Sequence, residues 1–290
     1  MKAIVILVAI ATAAHAEPVT LGLFAPTAPF ASTSARVELA SRLGDALGKG
    51  ASTTGTGKVY ARAGDFAAAV KRGDLAVALV DAGYLARTSG YTVIAASLAH
   101  GDADQTWQLI ARGGLKLADL RGKRVLVPSN GGHETDFVLN VLLGGEVPRD
   151  FFAKIEAAPD TAAAIAALGL GKADAAVVPA GSELPAGTTP VITLPAIAGP
   201  TLVAYGTLSA AQRAQVAAAL ASWRGDATVA ALAASNGDAV RAITRRFSIP
   251  PKRGPFAVPG ARLVVGDLVE GRTFTIERTP PTAFAVAPGK

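Results

Sequence analysis

One short apolar run, Leu75-Ala76-Val77-Ala78-Leu79-Val80, lies between Asp74 and Asp81 and constrains the fold more than any other segment. It is too short for an independent helix and lacks the alternation of a half-wet strand. It therefore reads as a strand buried on both faces, and such strands belong to sheets covered by helices on each side. The preceding residues supply those partners. Val19–Phe24 reads as a strand, closed by the Pro-broken loop Ala25-Pro26-Thr27-Ala28-Pro29-Phe30. Ser32 or Thr33 caps a helix running to about Leu47, with Val37, Leu39, Ala40, Leu43 and Leu47 on its apolar face. Lys58–Arg62 is a second strand, and Asp65–Lys71 a short helix ended by Gly73. Strand, helix, strand, helix, strand is the order of a parallel α/β sheet.

A second cycle follows. Strands are expected at Tyr91–Leu98, Thr106–Arg112, Arg124–Val127, Lys154–Ala158, Ala173–Val178, Val191–Leu194 and Thr201–Tyr205. Helices are expected at Glu134–Leu143, Asp160–Leu168, Ser209–Trp223, Asp226–Ala234 and Asp238–Arg246, with a helical turn at Leu117–Leu120. The tail is different: prolines punctuate it, and Arg262–Val265 with Arg272–Glu277 reads as a β-hairpin.

The chain starts with Lys2, an apolar run Ala3–Ala14 and the tripeptide Ala14-His15-Ala16. This is the pattern of a cleaved secretory leader, and the run falls short of the roughly 20 residues that span a bilayer. Cleavage after Ala16 gives a periplasmic protein. The absence of Cys denies it a lipid anchor, a disulfide scaffold, a thiol nucleophile and thiolate zinc sites. With His15 lost to the leader, only His100 and His133 remain, too few for an imidazole-rich metal centre. The net charge of +6 is dispersed, with no aromatic interleaving, so nucleic acid is not expected. Hydrolase and P-loop signatures are missing, and no cofactor is implied. A modest positive charge speeds the capture of small anions.

An ordered set of segments resembles a known family. Val80-Asp81-Ala82-Gly83-Tyr84-Leu85-Ala86 follows the buried strand. Lys116-Leu117-Ala118-Asp119-Leu120-Arg121-Gly122-Lys123-Arg124-Val125 precedes Pro128-Ser129-Asn130-Gly131-Gly132. Ala163–Leu168 and Gly171–Val178 come next. Together they look like the phosphate/phosphonate-type solute-binding proteins of ABC transporters, with LADLRGKRV the most specific element. The similarity runs from about Val19 to Trp223. It implies a two-lobed type-2 periplasmic binding protein fold with two crossover strands. The lobes would be 17–104 with 200–247, and 105–199; the Pro-rich tail would be 248–290. It further implies a monomer that closes on a small anionic ligand and hands it to an inner-membrane ABC permease. The tail motivates an alternative, a ligand sensor or envelope-interaction protein on the same fold.

Candidate contacts follow from both sources. Ser129, Asn130, Gly131 and Gly132 form a loop at the start of a helix, where unpaired N–H groups and flexible glycines can cradle an oxyanion. Thr135 adds a hydroxyl. An ordinary cap by Ser129 or Asn130 is the plainer alternative. Asp81, Gly83 and Tyr84 form a turn that the resemblance places in the cleft. There Asp81 either caps the next helix or pairs with the ammonium of an aminophosphonate. Thr27 lies in the first strand's loop, and Trp107 either lines the cleft or packs at the lobe junction. Asp160 stands where the family often has His, and it reads most simply as the cap of the helix that follows.

Overall fold

The computed structural model describes residues 18–206 and 208–249. The leader at 1–16 and the tail hairpin lie outside the described residues.

Strand β1 (Val19–Phe24) leads through a Pro-rich loop into helix α1 (Thr33–Gly50), whose first turn Ser32 caps by accepting from the Ala35 N–H at 3.1 Å. Arg36, Leu39, Ala40, Leu43, Gly44 and Leu47 form the buried face of α1, while Val37 is 49% exposed. The expected apolar stripe holds at Leu39, Ala40, Leu43 and Leu47, but Arg36 rather than Val37 occupies its N-terminal end. Strand β2 (Gly55–Val59) begins earlier than expected because Gly57 and Gly55 are where α1 crosses the strand in backbone contact. Helix α2 (Ala63–Arg72) ends on Gly73 in the left-handed conformation, and strand β3 (Val77–Val80) is buried throughout. Helix α3 (Ala82–Leu85) is a single turn.

Strand β4 (Tyr91–Leu98) passes through residues 99–103 into β5 (Asp104–Arg112), which belongs to a different sheet. Strand β6 (Arg124–Pro128) ends in the Ser129 loop, followed by α4 (Glu134–Asp136). The expected helix at Glu134–Leu143 continues from α4 as a π-helical segment, Phe137–Leu142, buried at every residue. Strand β7 (Lys154–Ala158), helix α5 (Thr161–Gly169) and strand β8 (Ala175–Pro179) complete this layer. Strand β9 (Thr188–Ala198) returns through Gly199-Pro200 to β10 (Thr201–Tyr205). Helix α6 (Ala210–Ala221), strand β11 (Ala231–Ala234) and helix α7 (Asp238–Phe247) close the described chain.

The strand at β11 replaces the helix expected at Asp226–Ala234. Asp226 Oδ1 accepts from the N–H groups of Thr228 and Val229, which tightens a turn. The chain then pairs antiparallel with β4, Ala231 opposite Leu98 and Ala234 opposite Ala95. Alanine's helix preference is a few tenths of a kcal/mol per residue, roughly, and an open sheet edge outweighs it.

Two sheets result, in the orders β11-β4-β10-β3-β1-β2 and β7-β6-β8-β5-β9. Strands β1, β2 and β3 are mutually parallel, as are β6, β7 and β8. The chain passes between the sheets at β4–β5 and at β9–β10. These crossings are tied together, since Gly199 N–H donates to the Ala103 carbonyl at 2.9 Å and Ser97 N–H to that of Pro200 at 2.9 Å. One apolar cluster runs through both halves, joining Phe24, Phe66 and Tyr84 to Trp107, Val127 and Phe137. Helix α7 spans the pair: Thr244 Oγ1 donates to Ala86 O, and Asn140 Nδ2 donates to Phe247 O. Among the described residues, no helix is long and apolar enough to cross a membrane.

Candidate functional site

Parallel strands leave their carboxyl ends together, and loops there meet whatever lies above the sheet. Phe24 pairs with Val80, so the loop after β1 and the turn after β3 are neighbours. Pro128 pairs with Ala158, so the loop after β6 and the start of α5 are neighbours too. These two pairs of loops, one from each sheet, face and touch each other.

Thr161 makes the first link. Its N–H donates to Pro26 O at 3.0 Å, and its Oγ1 donates to Thr27 O at 2.9 Å. Arg36 makes the second: an Nη donates to Asp160 Oδ2 at 2.9 Å, an ion pair with side-chain exposures of only 11% and 20%. Asp160 Oδ1 meanwhile caps α5 by accepting from the Ala163 N–H at 2.8 Å. The expected cap is therefore present, and the same carboxylate also bridges the lobes. Glycines make the third link. A Cβ on Gly83 would stand 2.8 Å from Asn130 Oδ1 and 3.0 Å from Phe137, and one on Gly131 would stand 2.6 Å from the Tyr84 ring. Contacts this close exist because neither position carries a side chain.

Asp81 does not cap α3 with its side chain. Its Oδ2 instead accepts from the Thr27 N–H at 2.8 Å, while Oδ1 is buried without a hydrogen-bond partner. Burial raises its pKa from 3.8 to about 7, against the opposing pull of Thr27 and of the Arg36 charge. Tyr84 packs edge-on against Phe24 and Phe66, and burial raises its pKa, so its phenol stays protonated.

The Ser129 loop has a content the sequence did not announce. Glu134 Oε1 accepts from the N–H groups of Asn130 at 2.8 Å and Gly132 at 3.1 Å. Ser129 N–H is spent on Ala158 O at 2.8 Å. By position His133, rather than Ser129 or Asn130, precedes the helical turn. The Asn130 side chain is wholly buried, and neither its Oδ1 nor its Nδ2 has a partner. Thr135 and Ser129 are half-buried at the two ends of the loop. Trp107 packs in the core of the second sheet between Pro179 and Leu194, with its ring edge-on to Phe137 at 5.2 Å. Its Nε1 is buried and unpartnered. Among the described residues, no group of three or more His, Asp or Glu is placed to hold a metal.

No protein-family model and no curated protein sequence matches the chain. Solved structures do. XAC2383 from Xanthomonas citri bound to chloride ion superposes with a TM-score of 0.64 at 10% identity, over 79% of this chain and 97% of that one. PhnD1 from Prochlorococcus marinus in complex with methylphosphonate gives 0.63 at 14%, over 79% and 96%. A binding-protein component of an ABC phosphonate transporter, PA3383 from Pseudomonas aeruginosa, gives 0.62 at 11%, over 83% and 90%. The chain has the fold of the type-2 periplasmic binding proteins. In that fold's terms the two sheets are the lobes, and 99–103 and 199–200 are the crossovers between them.

Two residues at the junction of the sheets were not singled out from the sequence. Arg36 was signalled by its spacing, three and four positions before Leu39 and Ala40, which puts a cation on the buried stripe of α1. Its Nε is buried and unpartnered. Glu134 was signalled by its place just after a Ser-Asn-Gly-Gly loop, where a carboxylate can reach back to N–H groups at a helix start.

Proposed function

We infer that this protein is an exported solute-binding protein that closes its lobes on a small oxyanion, such as phosphate, a phosphonate or a related organic anion, for delivery to an inner-membrane ABC permease. The observation that carries this reading is the set of buried, unpartnered polar atoms where the lobes meet: Asp81 Oδ1, Asn130 Oδ1 and Nδ2, and Arg36 Nε. Each such atom costs about 1–3 kcal/mol unless something satisfies it. A polar ligand is the natural partner, and the named neighbours that hold methylphosphonate or serve a phosphonate transporter support the class.

The lobes on this reading are 17–104 with 200–247, and 105–199. The Ser129–Gly132 loop with Thr135 grips the ligand from one side. Thr27, Asp81, Gly83 and Tyr84 close from the other, and Trp107 backs the floor. No bond is made or broken. Ligand favours the closed state because only that state presents both walls at once. The leader at 1–16 directs export, and the mature chain works as a monomer.

Thermal-shift measurements against phosphate, phosphite, phosphonates, sulfonates and amino acids test this. One strong stabiliser is expected, worth about 2.7 kcal/mol at a hundred times its Kd. A flat response across the panel refutes the reading. Mass spectrometry of the denatured protein identifies any ligand that co-purifies.

A further inference from the structure

We propose that Glu134 is a resident anion of the cleft, so that an external oxyanion binds the Ser129–Gly132 loop only by displacing the Glu134 carboxylate. The proposal rests on the oxyanion reading above and names the residue that sets its affinity.

Gly131 and Gly132 both hold left-handed backbone conformations, with φ of 72° and 92°. The turn they make is a small seat in which the Asn130 and Gly132 amides converge on one acceptor. That seat is filled: Glu134 Oε1 takes the Asn130 and Gly132 N–H groups together, as one oxygen of a bound phosphate would. Glu134 is 9% exposed, so its carboxylate is part of the closed interior and not a solvated side chain. An independent observation marks the same place as a site. The amide of Asn130, 0% exposed and with neither polar atom partnered, abuts the Gly83 turn of the opposite lobe. A donor and an acceptor are thus left open beside a seat already holding negative charge.

The surrounding charges do not offset it. Arg36 brings a guanidinium to the junction, but one Nη is committed to Asp160. Asp81 adds another carboxyl group facing Thr27. An incoming oxyanion therefore meets a like charge on the very amides it needs. Glu134 can leave that seat only with a rotation of its own side chain, after which its charge is carried into water. The arrangement makes the protein discriminate: anions that gain enough from Asn130 and the opposite lobe displace Glu134, and weaker ones do not.

Two variants test this, with inorganic phosphate and methylphosphonate as probes in titration calorimetry. Glu134→Gln keeps the shape and removes the charge; Glu134→Ala vacates the seat. Hydrogen bonds to charged groups are worth about 1.5–3 kcal/mol, so affinity for a bound probe should rise about ten- to hundredfold in Glu134→Gln. Circular dichroism checks that each variant is folded, and if Glu134→Ala is not, the Gln variant decides alone. Amide hydrogen exchange gives a second readout on the native protein. The Asn130 and Gly132 amides should be protected without any anion, exposed in Glu134→Ala, and protected again by phosphate. Binding by the native protein that is equal or weaker in the variants overturns the role of Glu134 and leaves the oxyanion reading standing. Failure of native and variant proteins alike to bind either probe overturns both.

Discussion

Asp81 carries an unusual electrostatic burden, and replacing it with Asn gives a test with a defined sign. Its Oδ2 holds the Thr27 N–H, and its Oδ1 is buried with no partner. Burial moves its pKa from 3.8 to about 7 in the folded protein. Between those values the folded state keeps a proton that the unfolded chain has released. The associated stability is therefore fully present below the unfolded value and is lost as the pH rises through about 7. At about 1.4 kcal/mol per pH unit the separation amounts to at most about 4 kcal/mol. Parting of the lobes would admit water to the ionised carboxylate and lower that figure. Asp81→Asn keeps an oxygen for Thr27 and never ionises. Urea unfolding of native and variant proteins, followed by circular dichroism from about pH 4.5 to 8, should show the variant gaining on the native protein by that amount as pH rises. Other titrating groups are common to both proteins and cancel in the difference. A difference that stays flat, or one that shrinks with rising pH as for a solvated helix-capping carboxylate, refutes the account of Asp81 as a buried, half-satisfied acid.

Three further outcomes follow from the same geometry. Gly131→Ala forces a side chain into the left-handed region and against the Tyr84 ring, so it should cost about 1 kcal/mol or more in stability and hold the lobes apart; small-angle scattering that shows an unchanged compact shape would contradict it. For the Arg36–Asp160 pair, a double-mutant cycle with Arg36→Met and Asp160→Asn should give a coupling of about 1–3 kcal/mol, above that of a surface pair, because both side chains are largely enclosed; a coupling near zero in urea unfolding would show that the pair is not made in solution. Gly57→Ala places a Cβ on the Ala40 carbonyl, where α1 lies directly on β2, and should destabilise the first lobe by several kcal/mol, roughly, by overpacking; an unchanged melting temperature would mean that the helix is not seated there.

The architecture is readable in the sequence wherever burial makes a continuous signal. Val77–Val80 and Thr201–Tyr205 are central strands, the first an uninterrupted apolar run and the second apolar from Leu202 to Ala204. Asp160 and Ser209 announce α5 and α6 because a cap is a local interaction over three residues. Ala231–Ala234 is not readable in this way. Its composition favours a helix, and only the free edge of β4, contributed from far away in the chain, makes it a strand. At Phe137–Leu142 the expected helix is present, but its π-helical form is not readable, since its residues are buried on every side and leave no period to distinguish one helix type from another.

The cleft shows where local reading stops. Glycines at 83 and 131 are visible as glycines, but their purpose is the approach of Asn130 and Tyr84 from the opposite lobe. Asp160 looked like a departure that costs the site a cation. In the folded protein it recruits one, because Arg36 reaches it from the first turn of α1. Asp81 and Glu134 invert the same lesson. Each sits in a loop that an anion should favour, and each already takes backbone N–H groups there, from Thr27 in one case and from Asn130 and Gly132 in the other. A chain with an overall surplus of positive charge thus buries two carboxyl groups, Asp81 and Glu134, at the junction of its two sheets. On the oxyanion reading, the positive surface would draw anions toward the protein, and these carboxyl groups would make entry conditional on contacts that only a well-matched ligand supplies.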